Sequence, residues 1–157
     1  MAWTDPNLVS WDVGDVLTSS DMRTYVRDNL LALKNRESFI YRSGTEYNTT
    51  STVMTDVDAS NIAYTINLSA PSDILVSFDA TVRVTASNFM YFALRRDGGD
   101  LFAPTMYRTP NWEHISFSYV CEGLGPGTYT FGLQWRVAGG TGIIAAGRNQ
   151  FVVKDLG

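Results

Sequence analysis

From Phe39 onward, apolar and polar residues alternate with a period of two. In the run Ile74 to Thr85 every even position (Ile74, Val76, Phe78, Ala80, Val82, Val84) is apolar, and after Leu75 every odd one is polar. Between Tyr129 and Val137 the apolar set is odd: Tyr129, Phe131, Leu133, Trp135, Val137. Ile62-x-Tyr64-x-Ile66-x-Leu68 and Ile115-x-Phe117-x-Tyr119-x-Cys121 repeat the pattern. Such alternation marks strands with one face on a core and the other toward water, as antiparallel sheets have. Further strands are expected at 39–42, 89–96, 100–108 and 150–155. Turn sequences separate them: Asp97-Gly98-Gly99-Asp100, Leu124-Gly125-Pro126-Gly127 and Ala138-Gly139-Gly140-Thr141. Roughly eight or more strands over 39–157, with no second helix among them, predict a mainly β fold, an antiparallel jelly-roll sandwich.

Ahead of Phe39 the rules differ. Thr18-Ser19-Ser20-Asp21 offers hydroxyl N-caps and an early carboxylate at the positive end of a helix dipole, so a helix is expected to start near Ser20. At about 100° per residue, Met22, Tyr25, Val26, Leu30 and Leu33 fall within an arc of roughly 140°, while Arg23, Arg27, Asp28 and Lys34 lie off it. The spacing predicts one amphipathic helix within 18–38, ending near Glu37, with Asn29 inside the stripe and Leu31 outside it. A helix of about 18 residues is marginal alone in water. Its stripe therefore needs a partner, either the rest of the chain or copies of the same helix, and an Asn in an apolar seam is one device that fixes register between copies. Residues 1–17 follow neither period. Trp3 and Trp11, spaced by Pro6, Gly14, Asp5, Asp12 and Asp15, read as part of an extended arm whose indoles lie on this chain's own domain or anchor in another protein.

Composition then removes several classes of function. A chain of 157 residues, 45% hydrophobic and 18% charged, makes one domain with a real core. No apolar run approaches the roughly 20 residues that cross a bilayer, and Met1-Ala2-Trp3-Thr4-Asp5-Pro6 lacks the basic and apolar regions of a secretory signal. Synthesis and folding in a cytoplasm, with no membrane partner, is the expectation. Twelve basic against 16 acidic residues give a net charge of −4, which repels nucleic acid. The basic pair Arg95-Arg96 is followed at once by Asp97 and Asp100 and reads as a solvated hairpin end.

Residues able to do chemistry are few. If His114 and Cys121 share one strand, their odd separation points them to opposite faces, which excludes a Cys-His dyad. Cys121 has the parity of the core, and His114 that of the surface. Neither supports a zinc shell, and no ligand spacing suggests another metal. Asp56-Val57-Asp58 and Asp97-Gly98-Gly99-Asp100 offer carboxylates for calcium or for a glycan hydrolase or lyase, but neither has a recognisable frame. Gly123-Leu124-Gly125-Pro126-Gly127 lacks the Lys and helix of a phosphate loop. No enzyme, cofactor or metal is expected. Surface recognition remains, with Tyr107 and Trp112, in the segment Met106 to Trp112, as candidate contact residues; the plainer reading is that they close the end of the sandwich.

The run Trp11-Asp12-Val13-Gly14-Asp15-Val16-Leu17-Thr18, leading into Tyr25-Val26-Arg27-Asp28-Asn29-Leu30, resembles the amino-terminal segment of many tailed-bacteriophage structural proteins. The match covers roughly residues 3–36. The remainder, with Gly132-Leu133-Gln134-Trp135 and the closing Gln150 to Gly157, is more loosely similar to the C1q and tumour-necrosis-factor-like jelly-roll heads that such proteins carry. The resemblance implies a virion component, commonly trimeric. It implies three parts: an anchoring arm (1–17) with Trp3 and Trp11, a helix (18–38) whose Met22, Tyr25, Val26, Leu30 and Leu33 line a threefold axis, and a head (39–157). The preferred expectation is a homotrimeric capsid decoration protein or short head fibre held by the major capsid protein or another virion protein. The alternative is a tail fibre or tail-tip adhesin that binds a host-surface glycan or receptor.

Overall fold

A computed structural model of the chain describes residues 36–85, 88–102, 104–108 and 110–157, together with Val26. The expected arm lies outside the described residues, as does nearly all of the expected helix, including Trp3, Trp11, Met22, Tyr25, Leu30 and Leu33. Val26 is exposed in the single chain.

Eleven strands follow in chain order among the described residues: β1 (Ser38–Tyr41), β2 (Tyr47–Thr49), β3 (Thr55–Asp56), β4 (Ala63–Leu68), β5 (Ser72–Val84), β6 (Phe89–Arg96), β7 (Gly99–Asp100), β8 (Thr105–Arg108), β9 (Glu113–Leu124), β10 (Gly127–Val137) and β11 (Gly142–Asp155). They form two sheets. The first runs β1-β11-β5-β9, with β2 also on β11; the second runs β3-β10-β6-β7, with β4 on β10 and β8 on β6. Every pairing is antiparallel. Strands adjacent in sequence, such as β4 and β5 or β5 and β6, lie in opposite sheets, so the chain wraps from one sheet to the other around a shared core.

The alternation read in the sequence places that core. Ile74, Val76, Phe78, Ala80, Val82 and Val84 of β5 are all buried, and Phe131, Leu133, Trp135 and Val137 of β10 face them from the second sheet. Phe92 of β6 sits in the middle, with ring centroids 5.6 Å from Phe78, 6.0 Å from Phe117, 6.1 Å from Tyr107 and 6.3 Å from Trp135. Aromatic rings that bridge two sheets bury a large apolar area in such a core.

Several boundaries differ from the sequence reading. Arg36 and Glu37 belong to no helix, because the Glu37 carbonyl already accepts from the Asp155 amide at 3.0 Å and leads into β1. The last strand opens at Gly142 rather than 150. Its first residues, Gly142, Ile143 and Ile144, are buried and pair with both β2 and β5, so they show no alternation. A register shift between Ile144 and Asn149 then restores the period of two. The expected strand at 100–108 is two short ones, β7 and β8, because the chain bends at Leu101 and Phe102. There the Leu101 amide reaches back to the Leu94 carbonyl, and the Phe102 ring packs on Phe117. Tyr119 has core parity but is 39% exposed, since β9 is an edge strand; the Phe102 ring stacks against it, 5.9 Å away. Asp97 and Gly98 have φ of 50° and 82°, the left-handed pair of a two-residue hairpin turn.

Candidate functional site

Each sheet turns one face outward, and the two faces differ in chemistry. On the first sheet the register aligns Ile40, Val152, Ser77 and Ser118 in one row and Lys154, Leu75 and Val120 in the next. Ile40 is 55% exposed and Val120 40%, while Leu75 and Val152 are half-buried. Ser77 and Ser118 are short, so the aliphatic groups stand clear of them, beside the exposed Lys154. Further along the same face, Arg42 donates from Nε to Gln150 Oε1 at 3.0 Å, and His114 Nε2 lies 2.9 Å from Asp79 Oδ2. Both members of the His114–Asp79 pair are exposed to water, so the pair adds little stability.

The second sheet carries a groove of about 310 Å³. Gly132 of β10 is paired with Ala63 on one side and Arg95 on the other, so no side chain stands over the strand at the Gly132–Ala63 step. The neighbours on the same face, Thr130 and Gln134, do stand up and form its ends. A polar chain crosses it: Gln134 Nε2 donates to Asp56 Oδ1 at 2.7 Å, Arg95 Nη1 donates to Gln134 Oε1, and Arg95 Nε lies 3.1 Å from Asp100 Oδ1. Thr130 Oγ1 is 2.9 Å from Thr65 Oγ1. Beyond Gln134, the Arg136 guanidinium lies 3.8 Å from the centroid of the Tyr91 ring.

The residues singled out in the sequence are dispersed. Tyr107 lies in β8, half-buried against Phe92 and Phe117, and burial pushes its hydroxyl pKa up. Trp112 is 45% exposed, with the Arg83 guanidinium 4.7 Å from its ring centroid. Cys121 is buried on the inner face of β9, where burial raises its thiol pKa, and His114 points outward from the same strand. The carboxylates are held locally. Asp97 Oδ1 accepts from the Thr130 amide at 2.7 Å, and Asp56 serves Gln134. Among the described residues no three His, Cys, Asp or Glu side chains cluster, and no helix is long and apolar enough to cross a membrane. The groove over Gly132 was not foreseen. Its signal was a glycine at an outward position of an otherwise regular strand.

Asp58 caps the turn before β4. It accepts from the side chain of Asn61, the hydroxyl of Tyr47 and the amides of Ser60 and Asn61, all at 2.9–3.0 Å. The Asn61 bond is the largest cause holding its pKa below the ordinary carboxylate value, against a smaller opposing effect of burial. Burial, with the hydrogen bond to Asp58 adding to it, pushes the Tyr47 hydroxyl upward. A carboxyl whose folded pKa is depressed contributes stability above its unfolded pKa and loses it as pH falls through the folded value. Asp58→Asn should therefore flatten the decline in thermal midpoint on acidification below the ordinary carboxylate range, which calorimetry at a series of pH values checks.

No family model matches the chain, and no curated protein matches it. Solved structures are similar in fold. The Eiger tumour necrosis factor of S. frugiperda aligns over 78% of this chain and 93% of its own, at 12% identity and a TM-score of 0.44. A sugar-binding protein, the EclA C-terminal domain, aligns over 76% of this chain and 75% of its own, at 16% identity and a TM-score of 0.35. A chain of the T13 particle of infectious bursal disease virus aligns over 76% of this chain but 35% of its own, at 11% identity and a TM-score of 0.41.

Proposed function

We propose that the described sandwich is the jelly-roll head of a non-enzymatic bacteriophage virion surface protein, a homotrimeric capsid decoration protein or short head fibre. It is made in the host cytoplasm and attached to the particle through residues 1–17. The observation that carries the assembly is the outer face of the first sheet, where Ile40, Val152, Leu75 and Val120 stand exposed or half-exposed among small serines. Exposed apolar surface favours a partner, and another copy of the same chain is a partner always at hand. The phage assignment itself is supported by the resemblance at Trp11 to Leu30. Tail adhesion is the second reading, favoured by the exposure of Trp112 at one end of the sandwich.

Light scattering on the full chain should give three times 17.4 kDa. Val152→Asp, in the middle of the aliphatic rows, should shift the protein to monomer at micromolar concentration while its β-sheet circular dichroism is retained. A wild-type monomer under the same conditions would refute the assembly. Imaging of particles separates the two locations: density at capsid lattice positions supports decoration, and density confined to the tail end removes it.

A further inference from the structure

We infer that the groove over Gly132, on the outer face of the second sheet, binds a neutral saccharide unit. Glycine inside a strand is unfavourable, because it loses more backbone freedom than any other residue and has nothing to pack. Where a fold needs glycine, the reason is a left-handed φ or a contact that a Cβ would violate. Neither holds at Gly132. Its φ is not among the positive ones, and a Cβ there would meet only the Ile62 carbonyl at 3.6 Å and the Ala63 Cβ at 4.0 Å, ordinary contact distances. The fold tolerates a side chain at this position, and what its absence provides is open space with a polar wall.

That wall has the chemistry of polyol recognition. A sugar presents neighbouring hydroxyls that each donate and accept, and it needs a carboxylate, an amide and a guanidinium within one ring's span. Asp56, Gln134 and Arg95 are already held in line by their own hydrogen bonds. Each keeps capacity in reserve: the second carboxylate oxygen of Asp56, the second amide hydrogen of Gln134 and the outer nitrogen of Arg95. Prior ordering lowers the entropy lost on binding. Ala59 and Ala63 beside Gly132 give an apolar floor for the C–H face of the ring. A volume of about 310 Å³ lies at the small end of ligand sites, suited to one ring of a longer chain. One guanidinium against the two carboxylates of Asp56 and Asp100 makes the site net negative, which disfavours phosphates and acidic sugars. The groove is on the far side of the sandwich from the aliphatic face, away from the surface proposed for assembly.

Saturation-transfer NMR on the full chain tests this, using the methyl glycosides of glucose, galactose and mannose, N-acetylglucosamine, and glucose 6-phosphate as the anionic control. At least one neutral sugar should receive saturation. Gln134→Ala should weaken that binding about tenfold, the equivalent of one good hydrogen bond. Gly132→Thr should abolish it while the thermal midpoint stays level or rises, since Thr suits a strand; if that variant is destabilised instead, Gln134→Ala decides. Absence of transfer to every neutral sugar, a response to glucose 6-phosphate alone, or binding unchanged in both variants would overturn the assignment. Light scattering on the same samples keeps this separate from assembly, because a monomer that binds sugar retains the groove and loses only the trimer.

Discussion

Phe92→Ala should cost about 3–5 kcal/mol, the range for removing a fully buried aromatic ring from a packed core. The ring is wholly inaccessible to solvent and touches four aromatic neighbours, Phe78 and Phe117 from the first sheet and Tyr107 and Trp135 from its own. Its removal leaves a void that strands on both sides cannot close, because they are tied by ladder hydrogen bonds to β5 and β10. Against a total stability on the order of 5–15 kcal/mol, the loss takes a large share, and a urea titration followed by circular dichroism should show a much lower midpoint. Trp112→Ala removes a larger ring but should change the midpoint far less, since 45% of Trp112 is exposed and its partner is the Arg83 guanidinium at the surface. If the two variants were equally destabilised, the core would not be centred on Phe92.

The difference between those two aromatics marks where the sequence could be read. Parity placed Phe78, Phe131 and Trp135 in the core, because a period of two is a local property that burial on one face imposes on each strand separately. It placed Cys121 inward and His114 outward for the same reason. It could not find β2 and β3, which are two or three residues long and show no period. Nor did it extend the last strand back to Gly142, since Ile143 and Ile144 are both buried and give no alternation. The polar line of Asp56, Gln134, Arg95 and Asp100 joins four strands, of which only β6 and β7 are close in sequence. Register between strands creates that proximity, and register is set by long-range pairing. Arg95 and Asp100 alone were legible as neighbours, through the hairpin at Asp97-Gly98.

The register shift in β11 rests on one polar side chain, which makes Asn149→Ala the second large effect. Asn149 is buried, and three bonds account for its amide: Oδ1 accepts from the Ser43 amide at 3.0 Å, and Nδ2 donates to the Ala145 carbonyl at 3.1 Å and to the Ser43 carbonyl at 3.4 Å. Ser43 is buried too, so truncation strands its N–H and removes a donor from the Ser43 and Ala145 carbonyls. A buried group left unpaired costs about 1–3 kcal/mol, and loss of the Ser43 donor together with the Ala145 acceptor should bring the total to roughly 2–4 kcal/mol. The shift itself holds Gly147 at a φ of 66°, with its amide on the Ser43 carbonyl at 2.8 Å, so the same substitution frees that turn. Hydrogen exchange should therefore accelerate first at Ser43 and Gly147, ahead of the ladder between Phe151 and Phe78. Asn149→Leu, which fills the volume without the bonds, should be no better than Asn149→Ala. If it restored stability, packing rather than hydrogen bonding would be what Asn149 supplies.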